Sequence, residues 1–292
     1  MFGFLTRKPT DEVIRAFVNS QKGTIFKNRH HSLYTPPYTK TDWIDFNLQQ
    51  WMYEYKNPIV VFGILRGTEE LLWYCKEYKI DFYYIDHAYF FKTKHKNHMF
   101  FGDRIYRITK NLENLNYLTN EKFIHSDKER ARNNKRIGSL NILSHEQRIS
   151  KGHEILLCPP SEFVCRYYKL SSPEEWTKNK IEEIKKYTDR PIIVRNKKNE
   201  TPLETDLSKT HCIVTYQSTV AIEAIIKGIP SICDEVSPCL PVSETNISKI
   251  EKPFVPDEEL LHNWIHSLLN NQFSMKEIRN GKAFEMITRL QK

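Results

Sequence analysis

Three places in this chain carry side chains that could do chemistry. The first is Thr215-Tyr216-Gln217-Ser218-Thr219, with Glu223 one turn further on. Hydroxyls at a helix start, beside unpaired backbone amides and the positive end of the helix dipole, make a seat for a phosphate. The second is Asp86-His87. A histidine exchanges protons near neutral pH, and an aspartate can orient it or take the proton itself. The alternative is structural: Asp86 caps a strand end and His87 stacks on Tyr89 or Phe90. The third is Arg195-Asn196-Lys197-Lys198, where three cations follow a short apolar run. They suit a diphosphate, and equally a solvated basic turn.

These groups need elements to hold them. Cys212–Val214 is short and apolar, as expected of a buried strand leading into the polar corner. Val220, Ala221, Ala224 and Ile225 follow at helical spacing, with Ser218 or Thr219 as N-cap. Gly228 is expected as a left-handed cap, Pro230 as a stop and Ser231–Cys233 as the next parallel strand. Upstream, Glu154–Cys158 is a predicted strand and Ser161 caps a short helix through Tyr168. A helix starts at Pro173 and runs to Tyr187, and Pro191–Val194 is the strand before Arg195. In the amino-terminal half the expected order is a helix over Pro9–Ser20, an edge strand over Thr24–Phe26, a loop at 30–38 and a helix over Trp43–Tyr55. Next come a buried strand over Pro58–Gly63, a helix over Thr68–Tyr78 capped by Thr68, and a strand over Lys79–Asp86. Right-handed crossovers make such strands parallel and set Arg66, Gly67, Asp86 and His87 along one carboxyl edge. The fold class is therefore α/β, with two Rossmann-like domains, 1–151 and 152–292.

The pattern Thr215-x-x-Ser218-Thr219-x-x-x-Glu223-Ala224-x-x-x-Gly228-x-Pro230 resembles the donor-binding segment of GT-B glycosyltransferases. It looks most like capsular-polysaccharide (Kdo) transferases and phage glycosyltransferase-like proteins, over roughly residues 190–234. The resemblance implies two domains facing across a cleft and a last helix that crosses back to the first domain. It implies a nucleotide-sugar co-substrate whose phosphate meets Ser218 and Thr219, with Glu223 near the sugar or ribose. By the same resemblance the corner residues Tyr216 and Gln217, the loop at Ser161, and Arg195 and Lys197 face the donor. The related transferases carry a proline where this chain has Asn196.

At 292 residues the chain is long enough for two domains, and 39% apolar with 12% aromatic content is globular. No apolar run approaches the ~20 residues needed to cross a bilayer, so no membrane insertion is expected. Met1–Pro9 lacks the pattern of a signal peptide, and the six cysteines lack metal spacing. Buried thiols in a reducing, cytoplasmic compartment are expected, the host's cytoplasm for a bacteriophage protein. No Asp-x-Asp motif ends a plausible strand, so no metal is expected to be obligatory. A charge of +8 favours polyanionic partners without choosing among them. Residues 92–151 concentrate Lys and Arg with interleaved aromatics, a composition that suits double-stranded DNA or a solvated surface. Within it, Arg104-Ile105-Tyr106-Arg107-Ile108 is expected as a strand with both arginines on one face toward an acceptor. The preferred function is transfer of a sugar to a hydroxymethylated DNA base. A surface polysaccharide transferase is the alternative, and a nucleotide-sugar epimerase or non-catalytic DNA-binding protein a third.

Overall fold

The computed structural model describes residues 1–5, 8–27, 57–65, 67–91, 99–100, 102–119, 127–143, 152–196 and 201–290. The expected loop at 30–38 and the expected helix over 43–55 lie outside these, as do Arg66 and Lys197. The chain divides into two compact units, Met1–Glu113 with Leu269–Lys292, and Asn114–Leu268. Residues 114–151 thus group with the second unit and 269–292 with the first, whereas the sequence pattern places a single boundary at 151.

The first unit opens with β1 (Phe2–Leu5), α1 (Lys8–Ser20) and β2 (Thr24–Lys27). It continues through β3 (Ile59–Phe62), α2 (Thr68–Tyr78), β4 (Phe82–His87), the short β5 (Met99–Phe100) and β6 (Asp103–Lys110). Strands β2, β1, β3 and β4 lie side by side and parallel, in the order of a doubly wound sheet. One face is covered by α1 through Val13, Ile14, Phe17 and Val18, packed on Leu5, Val60, Phe62, Tyr83 and Ile85. Each such large apolar side chain, fully buried, contributes about 1.5–3 kcal/mol. Gly3 is fixed by this contact: a Cβ there would lie 2.6 Å from Val18 Cγ2.

Two details differ from expectation. Thr68 does not cap α2; Gly67 does, at φ 82°, and the Thr68 hydroxyl donates back to the Gly63 and Leu65 carbonyls at 2.7 and 2.9 Å. Arg104 and Arg107 are on β6 as expected, but on opposite faces. Side chains three apart on a strand must alternate, and Arg104 pairs with Glu12 on α1 while Arg107 pairs with Asp86.

The second unit contains α3 (Asp127–Ile137), β7 (Glu154–Cys158), α4 (Glu162–Tyr168), α5 (Pro173–Ile184), β8 (Ile192–Val194) and α6 (Leu203–Leu207). It ends with β9 (Thr210–Thr215), α7 (Val220–Ile226), β10 (Ser231–Cys233) and α8 (Glu258–Asn270), whose last two residues fall in the first unit. Its four strands are parallel in the order β8-β7-β9-β10. Gly228 takes φ 79°, as a left-handed cap requires. Ser172 caps α5 by accepting the Glu175 N–H at 3.2 Å, and Pro173 fills its first turn. The closing segment, β11 (Gln272–Ser274), α9 (Met275–Arg279) and α10 (Lys282–Leu290), returns to the first unit. There β11 pairs antiparallel with β6, and Met275, Ile278, Met286 and Ile287 join the core under α1. Each unit is Rossmann-like, and the fold class is α/β.

Candidate functional site

In an open α/β sheet a ligand sits outside the carboxyl ends of the strands, where the crossover direction reverses. In the second unit that point lies between β7 and β9. The chain leaving β7 is Pro159-Pro160-Ser161, and the chain leaving β9 is the polar corner. The Thr215 hydroxyl spans the two, donating to the Cys158 carbonyl at 2.7 Å and accepting the Ser218 N–H at 3.3 Å. Tyr216 is buried, edge-to-face on Tyr168 at 5.3 Å, and its carbonyl accepts the Asp234 N–H at 3.1 Å. Burial, with Asp234 adding to it, pushes the Tyr216 hydroxyl pKa well up, so it stays protonated. Gln217 Oε1 accepts from Asn114 Nδ2 at 2.6 Å, and that amide also reaches the Val236 carbonyl at 3.3 Å. Ser218, Thr219 and Glu223 are half-buried. Thr219 occupies the N-cap position, while Ser218 Oγ accepts the Val220 N–H at 3.3 Å.

The other residues expected to face a donor are less available. Ser161 caps α4 by position, its carbonyl accepting the Cys165 N–H at 2.9 Å. Arg195 follows β8, but its guanidinium is paired with Asp206 and donates to the Thr201 carbonyl at 2.8 Å. A phosphate reaching Arg195 must compete with that carboxylate. Burial lifts the Cys158 thiol to about 12, which leaves it protonated and unreactive.

The carboxyl edge of the first unit holds Asp86 and His87. Asp86 Oδ2 accepts from Arg107 Nη2 at 2.7 Å and from the Tyr84 hydroxyl at 3.1 Å, and Oδ1 accepts the His87 backbone N–H at 2.7 Å. Burial alone would raise this carboxyl's pKa. The Arg107 guanidinium and His87 outweigh it, and the pKa lies below the ordinary carboxylate value. Asp86 is therefore an ionised, fully engaged group rather than a free base. The His87 ring is exposed and meets Phe62 edge-to-face at 5.3 Å. Asp86 thus caps the strand end through the His87 backbone rather than bonding its ring.

Of the residues expected on the acceptor side, Gly67 lies on this edge and Arg107 is only 7% exposed, with Tyr89 beneath it at 4.5 Å. Arg104 sits on the other face with Glu12. Two contributors escaped sequence reasoning. Gln272 accepts the Tyr89 and Phe90 N–H groups, and Asn114 holds Gln217. Neither lies in a recognisable pattern. Among the described residues no group of three or more His, Cys, Asp or Glu side chains is placed to hold a metal ion, and no helix is long and apolar enough to cross a membrane.

No protein-family model matches the chain, and no curated protein does. Among solved structures it is similar to Thermosulfurimonas dismutans KpsC, beta Kdo 2,4 transferase, at 9% identity and TM-score 0.46, covering 91% of this chain and 89% of that one. It is similar to the same organism's KpsC, beta Kdo 2,7 transferase, at 11% identity and TM-score 0.49, covering 100% and 99%. Methanocaldococcus jannaschii UDP-GlcNAc 2-epimerase, in complex with UDP-GlcNAc and UDP, gives 12% identity and TM-score 0.28, covering 99% of each chain. The assignment of two Rossmann-like units rests on strand order, not on these likenesses.

Proposed function

We propose that this chain is a glycosyltransferase that moves a sugar from a nucleotide-sugar donor to an acceptor hydroxyl. The observation that carries the reading is the polar corner at the switch point of the second unit, pinned by Thr215 across β7 and β9. Ser218 and Thr219 would meet the donor phosphate, with Ser161 and Gln217 beside it and Glu223 toward the ribose or sugar. Arg195 and Lys197 would add charge to the departing phosphate. The acceptor oxygen forms its bond to the anomeric carbon as the carbon–oxygen bond to phosphate breaks. The acceptor proton goes to the exposed imidazole of His87 rather than to Asp86, whose lowered pKa makes it the weaker base.

The acceptor is a glycan hydroxyl in this reading. Transfer to a base in duplex DNA needs lysines and arginines available to phosphates. Arg104 is paired with Glu12, Arg107 with Asp86 and Lys110 with Asp81, and Arg136 is buried, whereas Lys128, Arg130 and Lys135 on α3 are exposed. The test is a mass-spectrometric screen of nucleotide sugars with glycan acceptors, with hydroxymethylated duplex DNA, and with no acceptor. A mass gain on glycan with release of the nucleotide supports the proposal. A mass gain on DNA moves the acceptor, isomerised donor without acceptor makes the protein an epimerase, and no change in any arm rejects catalysis.

A further inference from the structure

We infer that Gln272, contributed by the closing segment of the chain, is a positioning residue for His87; this rests on the role proposed for His87 above. Gln272 is completely buried in β11, opposite Arg107 in the antiparallel register with β6. A buried side-chain amide costs free energy unless its polar atoms are met, so an apolar residue would serve a strand better. The reason for a glutamine lies in the chain leaving β4. The β4–β6 ladder ends with His87 opposite Tyr106, and the amides beyond it have turned away from the ladder. Buried N–H groups must still find acceptors. Gln272 Oε1 takes two of them, Tyr89 N–H at 2.8 Å and Phe90 N–H at 3.2 Å.

The consequence reaches His87 by a short path. Tyr89, held by Gln272, lies under the Arg107 guanidinium at 4.5 Å. Arg107 binds Asp86 at 2.7 Å, and Asp86 binds the His87 N–H at 2.7 Å. The segment 87–89 is thus clamped at one end by Asp86 and at the other by Gln272. The imidazole shares its face of the sheet with the Phe62 ring on β3, at 5.3 Å, and with Tyr106 and Arg104 on β6, the latter paired with Glu12; Asp86, Tyr84 and Arg107 lie on the other face and reach His87 through its backbone. Loosening the 89–90 end moves His87 relative to its neighbours on that face.

The test uses the whole chain and two substitutions. Gln272→Met keeps length and removes the acceptor; Gln272→Glu keeps an acceptor oxygen. In Gln272→Met, amide exchange at Tyr89 and Phe90 is expected to quicken about tenfold or more, with β4 amides unchanged. The His87 imidazole titration, followed by NMR, is expected to shift, and kcat for sugar transfer to fall about ten- to a hundredfold at unchanged donor KM. Gln272→Glu is expected to restore exchange protection. Should Gln272→Met not fold, Gln272→Asn, which shortens the reach by one carbon, carries the same expectations. Unchanged exchange overturns the inference, as does faster exchange with an unmoved His87 titration and, where transfer occurs, unmoved kcat. If the wild-type chain transfers no sugar, the functional reading fails, and the exchange and titration results still decide whether Gln272 positions His87.

Discussion

Replacing Arg107 by Met tests how the carboxyl edge of the first unit is held together. Removing one partner of a buried ion pair typically costs ~3–5 kcal/mol, because the other charge is left behind. Asp86 keeps the Tyr84 hydroxyl and the His87 N–H, and its side chain is 23% exposed, which lowers the cost. Loss of the cation–π contact with Tyr89 adds about 0.5–2 kcal/mol, so the expected total is about 3 kcal/mol at pH 7.

The pH dependence sharpens the test. In the wild type the Asp86 pKa is lowered, below an unfolded value of about 3.9. Its contribution to stability is therefore present above pH ~4 and lost as pH falls through the folded pKa. Without Arg107 the largest charge opposing burial is gone, while His87 and its N–H remain, so the folded pKa rises and the variant loses less stability than the wild type as pH falls. The gap between the two proteins should be widest near neutrality and close below pH ~4. Urea unfolding, with amide exchange in β4 and β6 as the probe specific to this unit, measures it. A gap under ~1 kcal/mol at pH 7, or one that persists unchanged at pH 3, refutes the claim that Arg107 holds Asp86 ionised and stabilises this edge through it.

Thr215→Val keeps shape but removes the hydroxyl between Cys158 and Ser218; a loss of about 1–3 kcal/mol is expected in urea unfolding, together with weaker donor binding. Gly3→Val should cost about 1–3 kcal/mol by the same measurement, since its side chain would overlap Val18 where α1 lies on β1. Ser218→Ala with Thr219→Ala should weaken nucleotide-sugar binding by about 1.5–3 kcal/mol per lost charge-assisted bond while leaving the fold intact, with about 0.5–2 kcal/mol of stability lost with the Ser218–Val220 bond. Calorimetry showing equal affinity would remove both hydroxyls from the site.

What could be read from sequence was what local physics marks. Cys212–Val214 and Pro58–Gly63 are apolar runs bounded by turn residues, and both are strands. Phe2–Leu5 carries no such mark because a glycine interrupts it, and its place between β2 and β3 comes from pairing. The helix Asp127–Ile137 is hidden for a different reason. Its buried residues, Glu129, Asn133 and Arg136, recur at helical spacing, but the stripe is polar and an apolar period cannot reveal it. At the candidate site the hydroxyl corner and Asp86-His87 were legible because their residue types name a chemistry. Gln272, Asn114 and the Asp206 partner of Arg195 were not, because each acts through a contact between residues distant in the chain or in type unremarkable.

The two sheets repeat one topology without repeating sequence: β2-β1-β3-β4 in the first unit and β8-β7-β9-β10 in the second. Corresponding strand ends can therefore be compared. The end of β9 is the hydroxyl corner; the end of β3 turns at Gly63 and Gly67, both at positive φ. The end of β10 carries Asp234, exposed, its N–H tied to Tyr216; the end of β4 carries Asp86, tied to Arg107. The difference has a topological source. Among the described residues the first sheet continues past its fourth strand through β6 and β11, which supply Arg107 and Gln272, whereas β10 has beyond it an isolated bridge from Ile232 to Glu244. An aspartate that merely ends a strand in the second unit becomes, in the first, a held carboxylate next to an exposed imidazole. The switch point of the second unit carries the hydroxyls of Thr215, Ser218 and Thr219 instead. In the proposed function, proton transfer falls to the first unit and phosphate binding to the second, and the strand order supports that division by placing Arg107 and Gln272 beside Asp86-His87 in the first sheet alone among the described residues.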